Sequence, residues 1–264
     1  MSEKDNKLEI IGDYWTQRSE GFSEHMLEHM EEDEKGLYIR RIREFSDTRK
    51  MKVLDIGTGP GLFPILLGKD GHDVIAVDYS EGMLEMARKN CEQAGVKADI
   101  RKMDAQHLEF DDESFDLIVS RKVLWNLPDP VGAYKEWLRV LKQDGKMILF
   151  DANWWLHFHD AEYKELHDKY MEELKEKMGD EFKNEEPGTD YPHKYQGADP
   201  TILQNFAKDL PLSHVRRPSW DVQTLMELGA ESIIAEVDRS SPAPTGDGRT
   251  LPDSFVLTIS KKKD

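Results

Sequence analysis

The chain has 264 residues, with 36 lysines and arginines against 53 aspartates and glutamates, for a net charge of −17. That length accommodates one large α/β unit with elaborations, and a strongly acidic surface repels phosphate backbones, which argues against a nucleic-acid partner. No run approaches the roughly 20 apolar residues that span a bilayer, the first residues lack the apolar core of a signal peptide, and the single cysteine, Cys91, excludes an internal disulfide. A cytoplasmic protein with no membrane partner is expected.

Residues 8–46 read as a helical addition ahead of the first strand. Tyr14, Trp15, Phe22, Met26, Leu27 and Met30 recur at helical spacing, and Gly36 separates two helices. This addition is a candidate cover for a site. His25 and His29 stand four apart and could share a metal, but they fall among Glu24, Glu28, Glu31 and Glu32 on what reads as a solvated face. No metal is expected there. The basic clusters around Arg40-Arg41, Arg216-Arg217 and Lys261–Lys263 read as solvated faces too.

Val53-Leu54-Asp55-Ile56 is then a buried strand that breaks into Gly57-Thr58-Gly59-Pro60-Gly61, followed by a helical apolar pattern. Glycines at such a turn permit positive φ and let a ligand approach the backbone. Asp73–Asp78 is a second strand ending in a carboxylate, and Ser80 caps a helix over Glu81–Ala94 in which Cys91 is a packing residue. Ala98–Lys102 and Ser114–Ser120 are the next strands. Asp129 caps a helix that Pro130 opens, and Lys146–Asp151 is a further strand. Strands alternating with helices in this rhythm imply right-handed crossovers and a mainly parallel sheet.

From Ala152 to Arg217 the rhythm breaks into a helix over Asp160–Met178 and a turn-rich stretch with Pro187, Gly188, Pro192, Gly197 and Pro200. An insertion of that length is expected to act as a lid or binding element. A helix over Trp220–Leu228, a strand over Ser232–Val237, a loop over Ser240–Pro252 and a last strand over Phe255–Ile259 complete the chain.

The pattern Asp55-x-Gly57-x-Gly59-x-Gly61 lacks the sixth-position glycine of the dinucleotide fingerprint and resembles motif I of the class I S-adenosylmethionine-dependent methyltransferases. The strings Asp78-x-Ser80-x-x-Met83-Leu84, Asp104-Ala105, Phe115-Asp116-Leu117-Ile118 and Leu141-Lys142-x-x-Gly145 resemble later motifs of that family, in order. Within that family the chain looks like the branch typified by the ubiquinone/menaquinone C-methyltransferases and related small-molecule enzymes.

The resemblance implies an α/β, Rossmann-like seven-stranded sheet, mainly parallel with one antiparallel edge strand and helices on both faces. One methyltransferase domain over 1–264 is expected: an N-terminal cap (8–46), a cofactor core (51–151), a lid (152–217), and a C-terminal helix and strands (218–264). S-adenosyl-L-methionine is the implied cofactor. Asp55, Gly57, Thr58, Gly59, Gly61, Asp78, Tyr79, Met83, Asp104, Ala105, Arg121, Tyr14 and Trp15 would hold it, Asp78 through the ribose hydroxyls and Asp104 through the adenine amino group. Arg18, Trp125, Asp151, Asn153, Trp154 and His157 would line the acceptor, with His157, Arg121 and Tyr14 as candidate catalytic groups.

A metal at His157, His159 and Asp160 is not expected, because the metal-binding residues of catechol-type enzymes do not map there. Ser120-Arg121-Lys122-Val123 stands where many DNA, rRNA and glutamine methyltransferases carry an N-P-P-Y-type string. A small-molecule acceptor is therefore expected, ahead of a protein or RNA methyltransferase or a non-catalytic S-adenosylmethionine-binding protein. The oligomeric state is open.

Overall fold

The structure, a computed structural model, describes residues 3–45, 49–178, 198–238 and 254–261. Strands β1 (Lys52–Ile56), β2 (Asp73–Asp78), β3 (Asp99–Lys102), β4 (Phe115–Arg121), β5 (Leu141–Ala152), β6 (Ala230–Asp238) and β7 (Ser254–Lys261) form one seven-stranded sheet in the order β3-β2-β1-β4-β5-β7-β6. β1 to β5 pair in parallel, and β7 runs antiparallel to both its neighbours, β5 and β6. The mainly parallel sheet of the expected class is present, and its antiparallel strand sits one place in from the edge. The strand order reverses between β1 and β4, which opens a crevice at their carboxyl ends.

The described α-helices are α1 (Glu3–Lys35), α2 (Leu37–Phe45), α3 (Leu62–Lys69), α4 (Glu81–Gln93), α5 (Pro130–Val140), α6 (Ala161–Met178), α7 (Pro200–Ala207) and α8 (Ser219–Glu227). Alternate residues of β1 feed two cores, as the pleat requires. Leu54 and Ile56 pack with Trp137 of α5 and Leu225 of α8, whereas Val53 packs with Ile65 and Leu66 of α3 and with Ile39 and Ile42 of α2. Cys91 lies in the second core, where burial pushes its thiol up to about 11, so it packs and does not react. Among the described residues no helix is long and apolar enough to cross a membrane.

The capping signals act locally as they read. Ser80 Oγ accepts from Met83 N, and the Asp129 carboxylate accepts from Gly132 N with Pro130 in the first helical turn. The stretch through Pro200, read as turn-rich, instead holds α7. Asp199 caps it by accepting from Thr201 N at 2.9 Å, again with proline in the first turn. Pro187, Gly188, Pro192, Gly197 and the loop Ser240–Pro252 lie outside the described residues. α7 joins Tyr14, Trp125, Trp155 and Leu210 in a third apolar cluster.

α1 lies along α4 through a row of small residues. A Cβ added at Gly82 would stand 2.8 Å from Thr16 O, and one added at Gly12 would stand 2.8 Å from the Tyr79 ring. Thr16 Oγ1 lies 2.9 Å from Ser80 Oγ, and Asn90 Nδ2 donates to Ser23 Oγ at 2.8 Å. The N-terminal addition is therefore bonded to the core that carries the glycine turn.

Candidate active site

The turn after β1 is shaped by its glycines. Gly57 and Gly59 adopt φ of 69° and 54°, and a Cβ on Gly57 would fall 2.2 Å from Val123 Cγ2. The amides of Gly57 and Thr58 both donate to Val77 O, at 2.8 and 3.0 Å. Asp78, at the tip of β2, accepts from Gly59 N and Ser80 N, each at 2.9 Å, so its carboxylate fastens the turn to the neighbouring strand. Gly57→Ala combines left-handed strain with overpacking and should cost about 2–4 kcal/mol. A urea midpoint equal to that of the parent would show that Val123 yields instead.

Beside this turn lies a cavity of about 290 Å³. Asp55, Gly57, Thr58, Gly59, Asp78, Tyr79, Met83 and Ala105 line one part of it, Trp15 and Arg18 reach it from α1, and Arg121, Trp125 and Trp154 complete the expected residues that it brings together. Asp55 is 1% exposed, and neither of its oxygens makes a good hydrogen bond with the protein. Burial raises its carboxyl to about 7, and the charge of Asp78 adds to the shift. Burial raises Asp78 as well, against the pull of the Ser80, Gly59 and Tyr79 amides. The Thr58 hydroxyl pulls the Asp55 carboxyl in the opposite direction, and the two neighbouring carboxylates, one buried and one half-buried, form a receptor for a cation.

The sign of the pH dependence follows. Native Asp55, with its pKa near 7, holds a proton that the unfolded carboxyl, with its ordinary 3.8, has released, so this group's contribution to stability falls as pH rises from about 4 to about 7. A cationic ligand binds the ionised form. Its affinity should therefore drop about tenfold per pH unit below 7, with proton release on binding. Asp55→Asn should weaken binding and flatten that profile in calorimetry; an unchanged slope would remove Asp55 from the site.

Other expected residues lie outside the cavity wall. Tyr14 turns into the third cluster against Phe206 and Trp15, its ring centroid 6.0 and 5.3 Å from theirs, so neither the catalytic nor the cofactor role fits its position. Gly61 backs onto α4, where an added Cβ would stand 3.1 Å from Ala87 Cα. Asp104 closes its own loop, one oxygen accepting from Gln106 N and Nε2 at 2.9 Å, while Met103 and Ala105 on either side face the cavity. His157 stacks on His167 of α6 with ring centroids 3.9 Å apart, and burial lowers its pKa to about 3, which disqualifies it as a base near neutrality.

Asp151 and Asn153 belong to a buried ionic cluster, not to an acceptor wall. Arg217, 2% exposed, donates to Asp151 at 2.5 Å and to Asp221 at 2.8 Å, and Tyr134 donates to Asp221 at 2.5 Å. Asn153 bonds the backbone of Arg217 through both ends of its amide, at 2.9 Å each. Arg217 is thus an anchor, in place of the solvated residue its dibasic context suggested. Asp151 also accepts from Trp154 Nε1 at 3.1 Å, so it positions a residue that does line the cavity.

The cavity wall also contains residues that the sequence reading did not assign to the site: Phe22, His25 and His29 of α1, Tyr38 of α2, and Lys122 after β4. The signal was present. Leu8, Ile11, Trp15, Arg18, Phe22, His25 and His29 all face the cavity and are spaced alternately three and four apart, the period of one helical face. His25 and His29 are accordingly half-buried against the cavity, not on a solvated face.

Comparison with known proteins agrees with this arrangement. The family described as "Methyltransferase domain" matches residues 54–149. The ubiquinone/menaquinone biosynthesis C-methyltransferase of Idiomarina loihiensis is 31% identical over 149 residues, covering 54% of this chain and 58% of that protein. The phosphatidylethanolamine N-methyltransferase of Cereibacter sphaeroides is 32% identical over 112 residues, covering 42% and 55%. The chain spans about half the length of the curated relatives it matches. The crystal structure of a SAM-dependent methyltransferase from Methanosarcina mazei superposes with a TM-score of 0.51 at 18% identity, covering 84% of this chain and 97% of that one, which shows a shared fold.

Proposed function

We propose that this chain is a class I S-adenosylmethionine-dependent methyltransferase that transfers a methyl group from that cofactor to a small-molecule acceptor; the methyltransferase-domain match over residues 54–149 and the likeness to quinone methyltransferases support the reading. One observation carries the reading. The recess holding Asp55 and Asp78 is continuous with an aromatic and basic compartment that α1 and Trp154 help to enclose, so two small reactants can share one dry space.

The chain's own residues suit the cofactor. Asp78 is at hand for vicinal ribose hydroxyls, and Tyr79, Met83, Met103 and Ala105 offer apolar walls for a purine. Asp55 answers an ammonium, and Arg18 on the facing helix a carboxylate, the two ends of an amino acid. Asp78 would suit the ribose of NAD equally; the discrimination against NAD rests on Asp55, a buried carboxylate beside the glycine turn where a dinucleotide places its pyrophosphate. S-adenosylmethionine supplies an electrophilic methyl on its sulfonium; the protein's task is to align the acceptor in line with it and exclude water. A protein or RNA acceptor would need a broad open face. The net charge of −17 disfavours RNA, and the enclosed compartment favours neither.

Calorimetry with S-adenosylhomocysteine, with NAD as control, tests the cofactor reading, and turnover of a labelled methyl donor over an acceptor panel tests the enzyme. Heat from the first ligand alone is expected. Binding of NAD instead would end the reading, and tight S-adenosylhomocysteine binding without turnover on any acceptor would leave a non-catalytic binding protein.

A further inference from the structure

We propose that His25, Glu28 and His29 of α1 form a binding site for a divalent transition-metal ion of the zinc type, open on one side to the cavity. The site goes beyond the methyltransferase reading and stands without it.

α1 places the three side chains together. Residues three and four apart on a helix share a face one turn apart, and each of these brings a ligand-type atom within 4.8 Å of the other two. Among the described residues, no other three histidine, cysteine or carboxylate side chains come so close. Two histidines four apart on one helical face have the spacing at which a helix grips zinc. Two imidazoles with one carboxylate are also a donor set of zinc sites that keep a fourth position open. Zinc bonds of about 2.1 Å in a tetrahedron set the donors about 3.4 Å apart. Small side-chain rotations within one helical turn bring these three to that spacing.

The backbone prepares one of the imidazoles. The two rings stand 4.3 Å apart, and His29 Nδ1 lies 2.9 Å from His25 O. A carbonyl oxygen only accepts, so Nδ1 carries the proton and the lone pair of the neutral ring is on Nε2. Metal-bound histidines have such a partner on the other nitrogen, which fixes the tautomer and the plane of the ring.

The surroundings decide which way the site opens. His25 and His29 are half-buried and line the cavity, whereas Glu28 is exposed and outside its wall. An ion held among them has solvent on the Glu28 side, as an entry path, and the cavity on the other. Phe22 and Met26 line the cavity on the same stretch of α1 and give the site an apolar border.

The local charge suits a cation. Burial and the neighbouring His29 lower the pKa of His25, and Glu28 opposes them more strongly than Arg121 or Lys122 adds to them. The Arg121 guanidinium stands 4.9 Å from the centre of the Tyr38 ring and acts on Asp55, and the Lys122 ammonium stands 4.7 Å from the centre of the Trp154 ring. Of the charges at the histidines, the carboxylate is therefore the dominant one.

An ion on these three donors retains a position for a ligand from the cavity. A thiol is the ligand best matched to zinc, and it binds as the thiolate, its proton passing to solvent. On the methyltransferase reading that sulfur belongs to the acceptor; the metal site itself does not depend on it.

The test takes the untagged full chain, stripped with a chelator. Zn²⁺ is titrated against a chromogenic chelator, and Co²⁺ is followed by its visible absorption. One ion per chain with a Kd of about 1 µM or tighter is expected, and excess Mg²⁺ should not displace it. His25→Ala and His29→Ala should each weaken binding at least about tenfold, with circular dichroism unchanged. A small thiol should then shift the Co²⁺ spectrum, as an open position requires. Zn²⁺ binding weaker than about 100 µM in the parent would overturn the proposal. So would parental affinity in both histidine variants, and a Co²⁺ spectrum indifferent to thiol would overturn the open position. Failure of S-adenosylhomocysteine to bind would instead strike the methyltransferase reading and leave the metal site standing.

Discussion

Asp78→Ala is expected to weaken S-adenosylhomocysteine binding about a hundredfold or more. Charge-assisted hydrogen bonds contribute about 1.5–3 kcal/mol each, and this carboxylate is placed to answer a ribose while it accepts from Gly59 N and Ser80 N. The substitution therefore removes the ligand contact and also unfastens the glycine turn from β2. Calorimetry reads the first effect and a fall in Tm of the unliganded protein reads the second. Asp78→Asn keeps one acceptor oxygen, so it should recover part of the stability but little of the affinity. Affinity within twofold of the parent in the alanine variant would remove Asp78 from the cofactor site.

Arg217→Ala should be the most destabilising single change at the anchoring cluster, by about 3–5 kcal/mol, because it leaves Asp151 and Asp221 buried without their counter-charge. The clamp of Asn153 on the Arg217 backbone ties the segment after α7 to the end of β5, so the loss should extend to that segment. Asp151 also holds the Trp154 indole. A change in tryptophan emission should therefore accompany the fall in urea midpoint. A loss below about 1 kcal/mol would mean that water or backbone relaxation compensates the two carboxylates. The triple variant with Arg217→Met, Asp151→Asn and Asp221→Asn should regain much of the stability, since burying neutral groups avoids the desolvation of unpaired charge.

What could be read in advance depended on how local its cause was. The glycine turn, the Ser80 and Asp129 caps and the succession of strands and helices along the chain arise from neighbours in sequence, and the structure has them. The same local signal was passed over at Asp199-Pro200, where proline and flanking turn residues suggested a loop and a capped helix formed. Within α1, hydrophobicity was the wrong filter. Polar His25, His29 and Arg18 share a face with Trp15 and Phe22, so periodicity without regard to polarity marks the cavity stripe that a search for apolar residues misses.

Asp151, Arg217 and Tyr14 show the other limit. Asp151 and Arg217 lie 66 positions apart and bond directly, and no local pattern distinguishes a carboxylate at a strand end that meets substrate from one that meets a distant arginine. Tyr14 and Trp15 are adjacent, yet one packs against α7 and the other lines the cavity, because successive residues on a helix point about 100° apart.

The sequence by itself determined the sheet, the glycine turn and the acidic recess, because hydrophobic period, φ-permissive glycines and strand-end carboxylates act over a few residues. The tertiary structure alone decided which side chains meet across the crevice. The polar stripe of α1 along the cavity and the buried partner of Asp151 follow from the docking of α1 and the return of the chain at Arg217, and docking is settled by long-range packing that no short window of sequence contains.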